Sequence, residues 1–221
     1  MDSESREHSV LIPAERVTLE GALVVPAGAQ GVVAFAHGSG SSRHSPRNTF
    51  VAQVLRSAGL GTLLFDLLTK EEDMTYETRF DIDLLTRRLE AATHWLRKQA
   101  QTKTLGIGYF GASTGAAAAL RAAAALGSVI GAVVSRGGRP DLARSALEHV
   151  HAPTLLIVGG EDHMVIDLNQ QAYARLHGEK QLVIIPGASH LFEEPGTLQE
   201  VARVASEWFM RYLRAQPAEN P

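Results

Sequence analysis

A serine flanked by glycines is the residue of this chain best suited to nucleophilic chemistry. Ser113 lies in the string GASTG (residues 111–115), which directly follows an apolar segment and directly precedes an alanine-rich one. A serine on a sharp turn between a strand and a helix is held clear of the sheet, and flanking glycines remove side chains that would collide there. Serines in such turns often only cap the helix, so the string alone is a weak signal. The strand before it and the small-residue helix after it favour a nucleophile.

A serine hydroxyl is a poor nucleophile at neutral pH, so it needs a base and an acid that orients the base. His190 is our candidate base, because it lies in the loop PGASH directly after the last predicted strand. Asp162 is our candidate acid, since it follows another predicted strand in the string GGEDH. Glu161 beside it and Asp66 after an earlier strand are rival acids. The alternative is that the acid caps a helix and the histidine is a solvated surface residue. Of the other histidines, we expect His163 to be a bystander beside Asp162, and His94 to be packed or exposed within a helix.

Cleavage of an acyl group also needs two backbone amides that converge on the developing oxyanion. The first is the amide of Thr114, at the amino end of the helix that follows Ser113. The second is predicted from the loop HGSGSSRH (37–44), which has little side-chain bulk and follows a strand. We assign it to the amide of Ser39, with that of Gly40 as the alternative. A phosphate-binding loop is the competing interpretation, but neither nucleotide-binding glycine motif is satisfied.

Several features of the same loops could bind the substrate. Gly38 and Gly40 would let the backbone approach a ligand closely. Arg43 and Arg136 follow predicted strands and could bind a substrate carboxylate through two hydrogen bonds. The simpler alternative is that such arginines, among them Arg47, Arg79 and Arg139, pair with nearby acids such as Asp66, Glu71, Glu72 and Asp141.

Short apolar runs alternate with stretches of helical period along the chain, a pattern typical of a mostly parallel sheet covered by helices on both faces. Helices are predicted at 81–101, at 116–125 and at 197–213, the first from apolar residues at three- and four-residue steps. The first two strands should form an antiparallel hairpin at one edge. The predicted strands are 10–14, 17–25, 31–36, 61–66, 105–111, 130–135, 154–159 and 181–185.

Composition excludes several classes of function. The chain has 221 residues, of which 45% are hydrophobic and 20% charged. This is enough apolar material for the core of one domain, which we predict to span 1–221. Its ends, 1–8 and 215–221, are predicted to be flexible. A net charge of -3 argues against nucleic-acid or membrane partners. The absence of cysteine excludes a disulfide, a thiolate nucleophile and a sulfur-ligated metal. No signal peptide or membrane span is recognisable, so we expect a cytoplasmic protein.

With these residues in hand, the chain resembles the α/β-hydrolase superfamily along nearly its whole length, and within it the dienelactone-hydrolase-like group. The matching residues are HGS (37–39), GASTG (111–115), Asp162 and His190, in the superfamily's order of serine, acid and histidine. The resemblance implies a three-layer α/β sandwich with an eight-stranded, mostly parallel sheet. It also implies no metal, no organic cofactor and an acyl-enzyme that water hydrolyses.

Two departures from that group affect the expected substrate. The dienelactone hydrolases proper use cysteine as nucleophile, whereas this chain has Ser113 and no cysteine, so dienelactone itself is not the expected substrate. Many relatives carry a helical lid after the sixth strand, but here only the short stretch 136–153 precedes the next strand. We therefore expect little or no lid, and an open, shallow site.

The sequence favours hydrolysis of a small carboxylic ester, with thioesters and lactones close behind. Acyl transfer or perhydrolysis by the same three residues is the first alternative, since an alcohol, amine or peroxide could replace water. A ligand-binding protein that keeps the fold without turnover is the second. The expected partner is a small-molecule ester, and the sequence leaves a monomer and a homodimer equally open.

Overall fold

Residues 7–213 are described by the computed structural model, and their eight strands form one sheet. The strand order across the sheet is β1-β2-β4-β3-β5-β6-β7-β8. The strands are β1 His8–Ala14, β2 Val17–Val24, β3 Gly31–Ala36, β4 Gly61–Phe65, β5 Gly106–Ala112, β6 Ile130–Arg136, β7 Thr154–Gly159 and β8 Lys180–Ile185.

The predicted edge hairpin is present. Strands β1 and β2 pair antiparallel from His8 opposite Leu23 to Ala14 opposite Val17. Strand β2 is also antiparallel to β4, and the strands from β4 across to β8 pair in parallel. The predicted mostly parallel, eight-stranded sheet is therefore confirmed, and the carboxyl ends of six neighbouring strands meet at one edge.

Helices cover both faces of the sheet, as predicted for a three-layer α/β sandwich. Alternate residues of β3 enter different cores: Val32 and Ala34 pack on one side, Val33 and Phe35 on the other. Helices α3, α4 and α5 contribute to the first core, and α1 and α6 to the second. The helices are α1 Pro46–Ser57, α2 Lys70–Asp73, α3 Ile82–Leu96, α4 Thr114–Leu126, α5 His163–Arg175 and α6 Thr197–Tyr212.

The helix predicted at 81–101 is shorter in the structure. Asp81 caps it by accepting a hydrogen bond from the Leu84 amide, and it ends at Leu96. The hydroxyl of Thr102 donates to the Leu96 carbonyl at 2.6 Å and so satisfies one of the last free carbonyl groups of the helix. The polar residues after Leu96 form turns instead of continuing the helix.

The connection between β6 and β7 carries no helical hairpin. It contains a 3-10 segment, Pro140–His149, that is interrupted at Arg144, where φ is 53°. Two shorter 3-10 segments, Glu77–Phe80 and Gly127–Val129, lie elsewhere in the chain. The carboxyl edge of the sheet is thus left without a large covering insertion at this connection.

The predicted flexible ends fall mostly outside the described residues. Positions 1–6 and 214–221 lie beyond 7–213, whereas His8 begins β1 and pairs with Leu23. Within the described part of the chain, no helix has the length and hydropathy needed to cross a membrane.

Candidate active site

Ser113 occupies the sharp turn between β5 and α4. Its φ of 50° and ψ of -120° are a strained combination for a residue with a side chain. The backbone of the turn is held on both sides: the Ser113 amide donates to the Arg136 carbonyl at 3.3 Å, and the Ser113 carbonyl accepts from Arg139 at 3.1 Å. The Ser113 side chain does not cap α4, and the residue is partly exposed. This geometry leaves the hydroxyl available for chemistry.

Glycines on both sides of Ser113 allow helix α4 to lie very close to the sheet. A Cβ on Gly115 would be 2.1 Å from the carbonyl oxygen of Ala36, and one on Gly111 would be 2.5 Å from the Cα of Ala116. Neither contact could be tolerated, because both involve backbone atoms. The pattern of the string GASTG therefore has a steric cause in this structure.

Asp162 and His190 meet at the same edge of the sheet. Asp162 follows β7 at the start of α5, and His190 follows the neighbouring strand β8. The Nδ1 of His190 lies 2.6 Å from the Oδ2 of Asp162. An ionised carboxylate can only accept, so Nδ1 carries the proton and Nε2 is left free to accept one. The Asp162 side chain is 14% exposed and that of His190 is 40% exposed, so the acid is the more enclosed of the two.

The rival acid Asp66 has different partners. Its carboxylate accepts from the amide of Arg43 at 2.7 Å and forms an ion pair with the Arg43 guanidinium group. Glu161 is exposed, as are His94 and His163. Of the acids considered from the sequence, Asp162 is the one placed against His190.

His190 and Ser113 both approach the backbone at the end of β6. The Ser113 amide binds Arg136, and a Cβ on the next residue, Gly137, would be 3.5 Å from Cε1 of His190. No hydrogen bond joins the Ser113 hydroxyl to His190 in the described residues. Hydrogen bonds between catalytic groups are often long in enzyme structures without substrate, and they shorten when substrate binds.

The predicted oxyanion loop lies directly beside Ser113. A Cβ on Gly38 would be 3.0 Å from the Cβ of Ser113, so the loop is in contact with Ser113. The structure gives the amide of Ser39 a partner that the sequence did not predict: it donates to the Oγ1 of Thr114 at 2.9 Å. The two residues assigned as oxyanion donors are therefore bonded to one another.

The side chain of His37 anchors this loop to the segment that follows β4, a contact that the sequence does not reveal. Its Nε2 accepts from the amide of Leu67 at 3.0 Å, and its Nδ1 lies 3.0 Å from the Gly38 carbonyl. Burial lowers the pKa of His37, an effect only partly offset by the Gly38 carbonyl and by Asp66. A neutral ring fits this pattern, because Nε2 must be unprotonated to accept.

The candidate substrate-binding arginines have contrasting surroundings. Arg43 is neutralised by Asp66 and also binds Glu20 at 2.6 Å. Three other arginines considered from the sequence also pair with acids: Arg47 with Glu193, Arg79 with Asp73 and Arg139 with Asp141.

Arg136 has no such partner within the described chain. It is 7% exposed, no carboxylate lies within ion-pair distance, and its Nε has no hydrogen-bond acceptor. Its guanidinium group lies 3.4 Å from the Oδ1 of Asn48 and over the ring of Phe192, 5.8 Å from the ring centre. Burial, together with the charge of Arg47, lowers its pKa to about 10.

A cavity of about 260 Å³ lies next to the oxyanion loop. His37, Ser41, Arg43, Asp66 and Leu68 are among its lining residues. A pocket of about 550 Å³ shares Arg43 and His44 with this cavity, and another of about 590 Å³ lies beside α3 and α4. Ser113, Asp162 and His190 line none of these three cavities. Residues 7–213 contain no group of three or more His, Asp or Glu side chains that could hold a metal ion.

Known proteins of similar sequence and structure include dienelactone hydrolases. The model of the dienelactone hydrolase family matches residues 19–214. A dienelactone hydrolase from Anabaena variabilis, known from a crystal structure, is 60% identical in sequence to this chain. The two structures superpose with a TM-score of 0.93, and the match covers 95% of this chain and 99% of the other. An esterase from Pyrococcus furiosus superposes with a TM-score of 0.76, and the match covers 94% of this chain and 91% of the esterase. Because the two sequences are only 21% identical, this similarity supports the fold alone.

A longer relative comes from Mycobacterium tuberculosis. It is provisionally named a phosphoribosyl transferase and is 56% identical over 212 residues, which are 96% of this chain and 48% of the relative. The chain thus spans about half the length of this curated relative. The name is that of the longer protein, of which 48% is matched.

Proposed function

The chain belongs to the dienelactone hydrolase family, and on that basis we propose that it is a serine hydrolase that cleaves small carboxylic esters, with thioesters and lactones as further substrates. Family membership supports a hydrolase. The identity of the nucleophile and the class of substrate are our proposal.

The observation that carries the proposal is the 2.6 Å contact between Asp162 and His190, at the edge of the sheet where Ser113 occupies its strained turn. The proposed chemistry needs three side chains. In this chain each of the three follows a different strand of the sheet. In the proposed roles, Asp162 holds the His190 ring in one tautomer, His190 is the general base and Ser113 is the nucleophile.

The proposed reaction follows from these roles. The Ser113 oxygen forms a bond to the carbonyl carbon while its proton passes to Nε2 of His190, and the carbonyl π electrons move onto the oxygen. The bond to the leaving alcohol then breaks, the carbonyl re-forms, and His190 gives its proton to the alcohol. Water repeats both steps on the acyl-enzyme, which releases the acid and restores Ser113.

A serine nucleophile sets the chain apart from the dienelactone hydrolases that use cysteine, since the chain contains no cysteine. We therefore propose general carboxylic esters as substrates in place of dienelactone itself. The alternative acceptors, an alcohol, an amine or a peroxide, would enter at the second step.

Arg136 remains our candidate for binding a negatively charged part of the substrate, and its burial without a carboxylate partner in the described chain supports this. Arg43 is the weaker candidate, because Asp66 and Glu20 already neutralise it. Gly38 and Gly40 remain candidates for lining the substrate's path.

The proposal is tested with a panel of esters, thioesters and lactones of graded acyl length, assayed with the wild-type protein and with Ser113→Ala. We expect turnover of short esters by the wild-type protein and none above background by the variant, with both proteins folded. Adding alcohols or amines as competing acceptors and analysing the products separates hydrolysis from acyl transfer. Equal turnover by both proteins would exclude Ser113 as the nucleophile.

A further inference from the structure

The side chain of Thr114 holds an unusual position next to the nucleophile. Thr114 is the first residue of α4 and is 3% exposed. Its Oγ1 accepts a hydrogen bond from the Ser39 amide at 2.9 Å, although 75 residues separate the two in sequence. A hydroxyl group therefore lies between the two backbone amides that the sequence assigns to the oxyanion.

A hydroxyl group has one proton to donate and two lone pairs that accept. In Thr114 one lone pair is engaged by Ser39, and no acceptor is present for the proton in the described part of the chain. Thr62, at the start of β4, also only accepts. The other five buried threonines donate to a backbone carbonyl; they are Thr86, Thr93, Thr102, Thr154 and Thr197. Thr114 thus combines an uncommitted hydroxyl proton with a place beside Ser113.

The backbone amide of Thr114 is also available, because the first amides of a helix have no partner within the helix. The oxyanion loop lies in contact with the nucleophile, since a Cβ on Gly38 would be 3.0 Å from that of Ser113. The Thr114 hydroxyl and the Ser39 amide are therefore bonded to each other, and both belong to residues whose chain neighbours, Ser113 and Gly38, are in contact.

We propose that the Thr114 hydroxyl is itself a donor to the oxyanion, alongside the Thr114 amide, and that the Ser39 amide acts by holding and polarising this hydroxyl. The inference rests on the proposed serine hydrolase function. A hydroxyl that accepts a hydrogen bond becomes a better donor, since neighbouring hydrogen bonds polarise one another. The catalytic residue is then Thr114, and Ser39 is a positioning residue.

Thr114 is not chemically altered during formation and collapse of the tetrahedral state. When the Ser113 oxygen bonds to the carbonyl carbon, the π electrons move to the carbonyl oxygen and the serine proton moves to His190. The new negative charge then receives hydrogen bonds from the amide and the hydroxyl of Thr114. When the bond to the leaving alcohol breaks, the electrons return to the carbonyl and the alcohol takes the proton from His190. Thr114 keeps its own proton throughout.

The competing arrangement has the Thr114 hydroxyl turn aside so that the Ser39 amide reaches the oxyanion directly. Removal of the hydroxyl would then leave turnover unchanged or increase it, because the amide would be released. The two arrangements therefore predict different effects of the same substitution, since only the proposed one predicts a loss of turnover.

Thr114→Val, which keeps the shape of the side chain without the hydroxyl, provides the test, with Thr114→Ser as the variant that restores it. We expect Thr114→Val to lower kcat by about 100-fold or more with little change in KM, as for the loss of one oxyanion donor. Thr114→Ser should recover most of the activity. Thr86→Val, the same change at a buried threonine of α3, is the matched control and should leave kcat unchanged.

A second measurement reports directly on the tetrahedral state. An aryl boronic acid that adds to Ser113 mimics this state, so its affinity should fall by a factor similar to kcat in Thr114→Val and stay unchanged in Thr86→Val. Thermal unfolding of each variant checks the fold; if Thr114→Val does not fold, Thr114→Ala and Thr114→Ser give the same comparison.

An active wild-type protein whose Thr114→Val variant keeps full activity and boronic-acid affinity would overturn this inference alone. A wild-type protein that hydrolyses no ester and is not labelled by a fluorophosphonate would overturn the proposed function, and this inference with it.

Discussion

The carboxylate of Asp162 lies 2.6 Å from Nδ1 of His190, and the two residues reach each other from loops after adjacent parallel strands. The other acid considered from the sequence, Asp66, is bonded to Arg43. We therefore expect the Asp162 carboxylate to contribute strongly to activity and the Asp66 carboxylate to contribute little.

Replacing Asp162 with Asn should lower kcat by about 10³-fold to 10⁴-fold, because an amide can no longer fix the required tautomer of His190. Asp66→Asn is the matched comparison and should change kcat only a few-fold. Steady-state hydrolysis of p-nitrophenyl acetate measures both. A large loss in Asp66→Asn with normal activity in Asp162→Asn would show that the acid was assigned to the wrong residue.

The strained turn at Ser113 predicts an effect on stability. With φ at 50° and ψ at -120°, a glycine should fit this position better than alanine. We expect Ser113→Gly to have a free energy of unfolding about 1 kcal/mol higher than that of Ser113→Ala. Glycine increases the entropy of the unfolded chain, which lowers stability, but the relief of backbone strain in the folded state should be the larger effect. Both variants should be inactive. Urea unfolding measures the difference, and equal stabilities would argue against a strained turn.

Arg136 predicts a preference for substrates with a negative charge. Arg136→Met should raise KM about tenfold or more for an ester with a carboxylate on its acyl group, and leave a neutral ester of similar size little changed. Removal of a buried charge that has no carboxylate partner in residues 7–213 should not lower stability.

Arg139→Met is the control for this experiment, since Arg139 lies three residues away and pairs with Asp141 at 2.8 Å. KM values for paired neutral and anionic esters give the comparison. The same rise in KM for both esters would show that Arg136 does not recognise charge.

His37 predicts a specific dependence of stability on pH. Burial holds its folded-state pKa below the ordinary value of 6.5, so the unfolded chain binds more protons below that pH. The contribution of the neutral ring to stability is complete above about pH 6.5 and is lost as the pH falls from there towards the folded-state pKa.

Thermal unfolding between about pH 7.5 and about pH 5.5 tests this dependence. The melting temperature of the wild-type protein should fall more steeply than that of His37→Gln, while His94→Gln, a change at an exposed histidine, should follow the wild type. Parallel curves for all three proteins would show that His37 titrates normally.

Much of the fold follows from short-range sequence patterns. The apolar runs predict all eight strands to within a few residues, and the turn at Ser113 follows from a strand, a glycine pair and a helix in succession. Helices α1 and α5 bury few apolar side chains, three in α1 and two in α5, and each also buries an asparagine, Asn48 or Asn169. Their periodicity was too weak to predict them.

Contacts between distant parts of the chain were not predictable in the same way. The bond from Ser39 to Thr114 and the ion pair of Arg43 with Asp66 depend on how the loops at one edge of the sheet meet. The lack of a carboxylate partner for Arg136 likewise depends on the packing of α1 and of the loop after β8. A single domain, a cytoplasmic location, a monomer or homodimer, and the absence of a metal, a cofactor and nucleic-acid or membrane partners stay predictions.

Covalent labelling with a fluorophosphonate, followed by peptide mass spectrometry, shows whether Ser113 is a nucleophile activated by His190. We expect one adduct, on Ser113, formed rapidly by the wild-type protein, much more slowly by His190→Ala and not at all by Ser113→Ala. A wild-type protein that hydrolyses esters but carries no adduct, or carries it on another residue, would show that Ser113 is not the nucleophile.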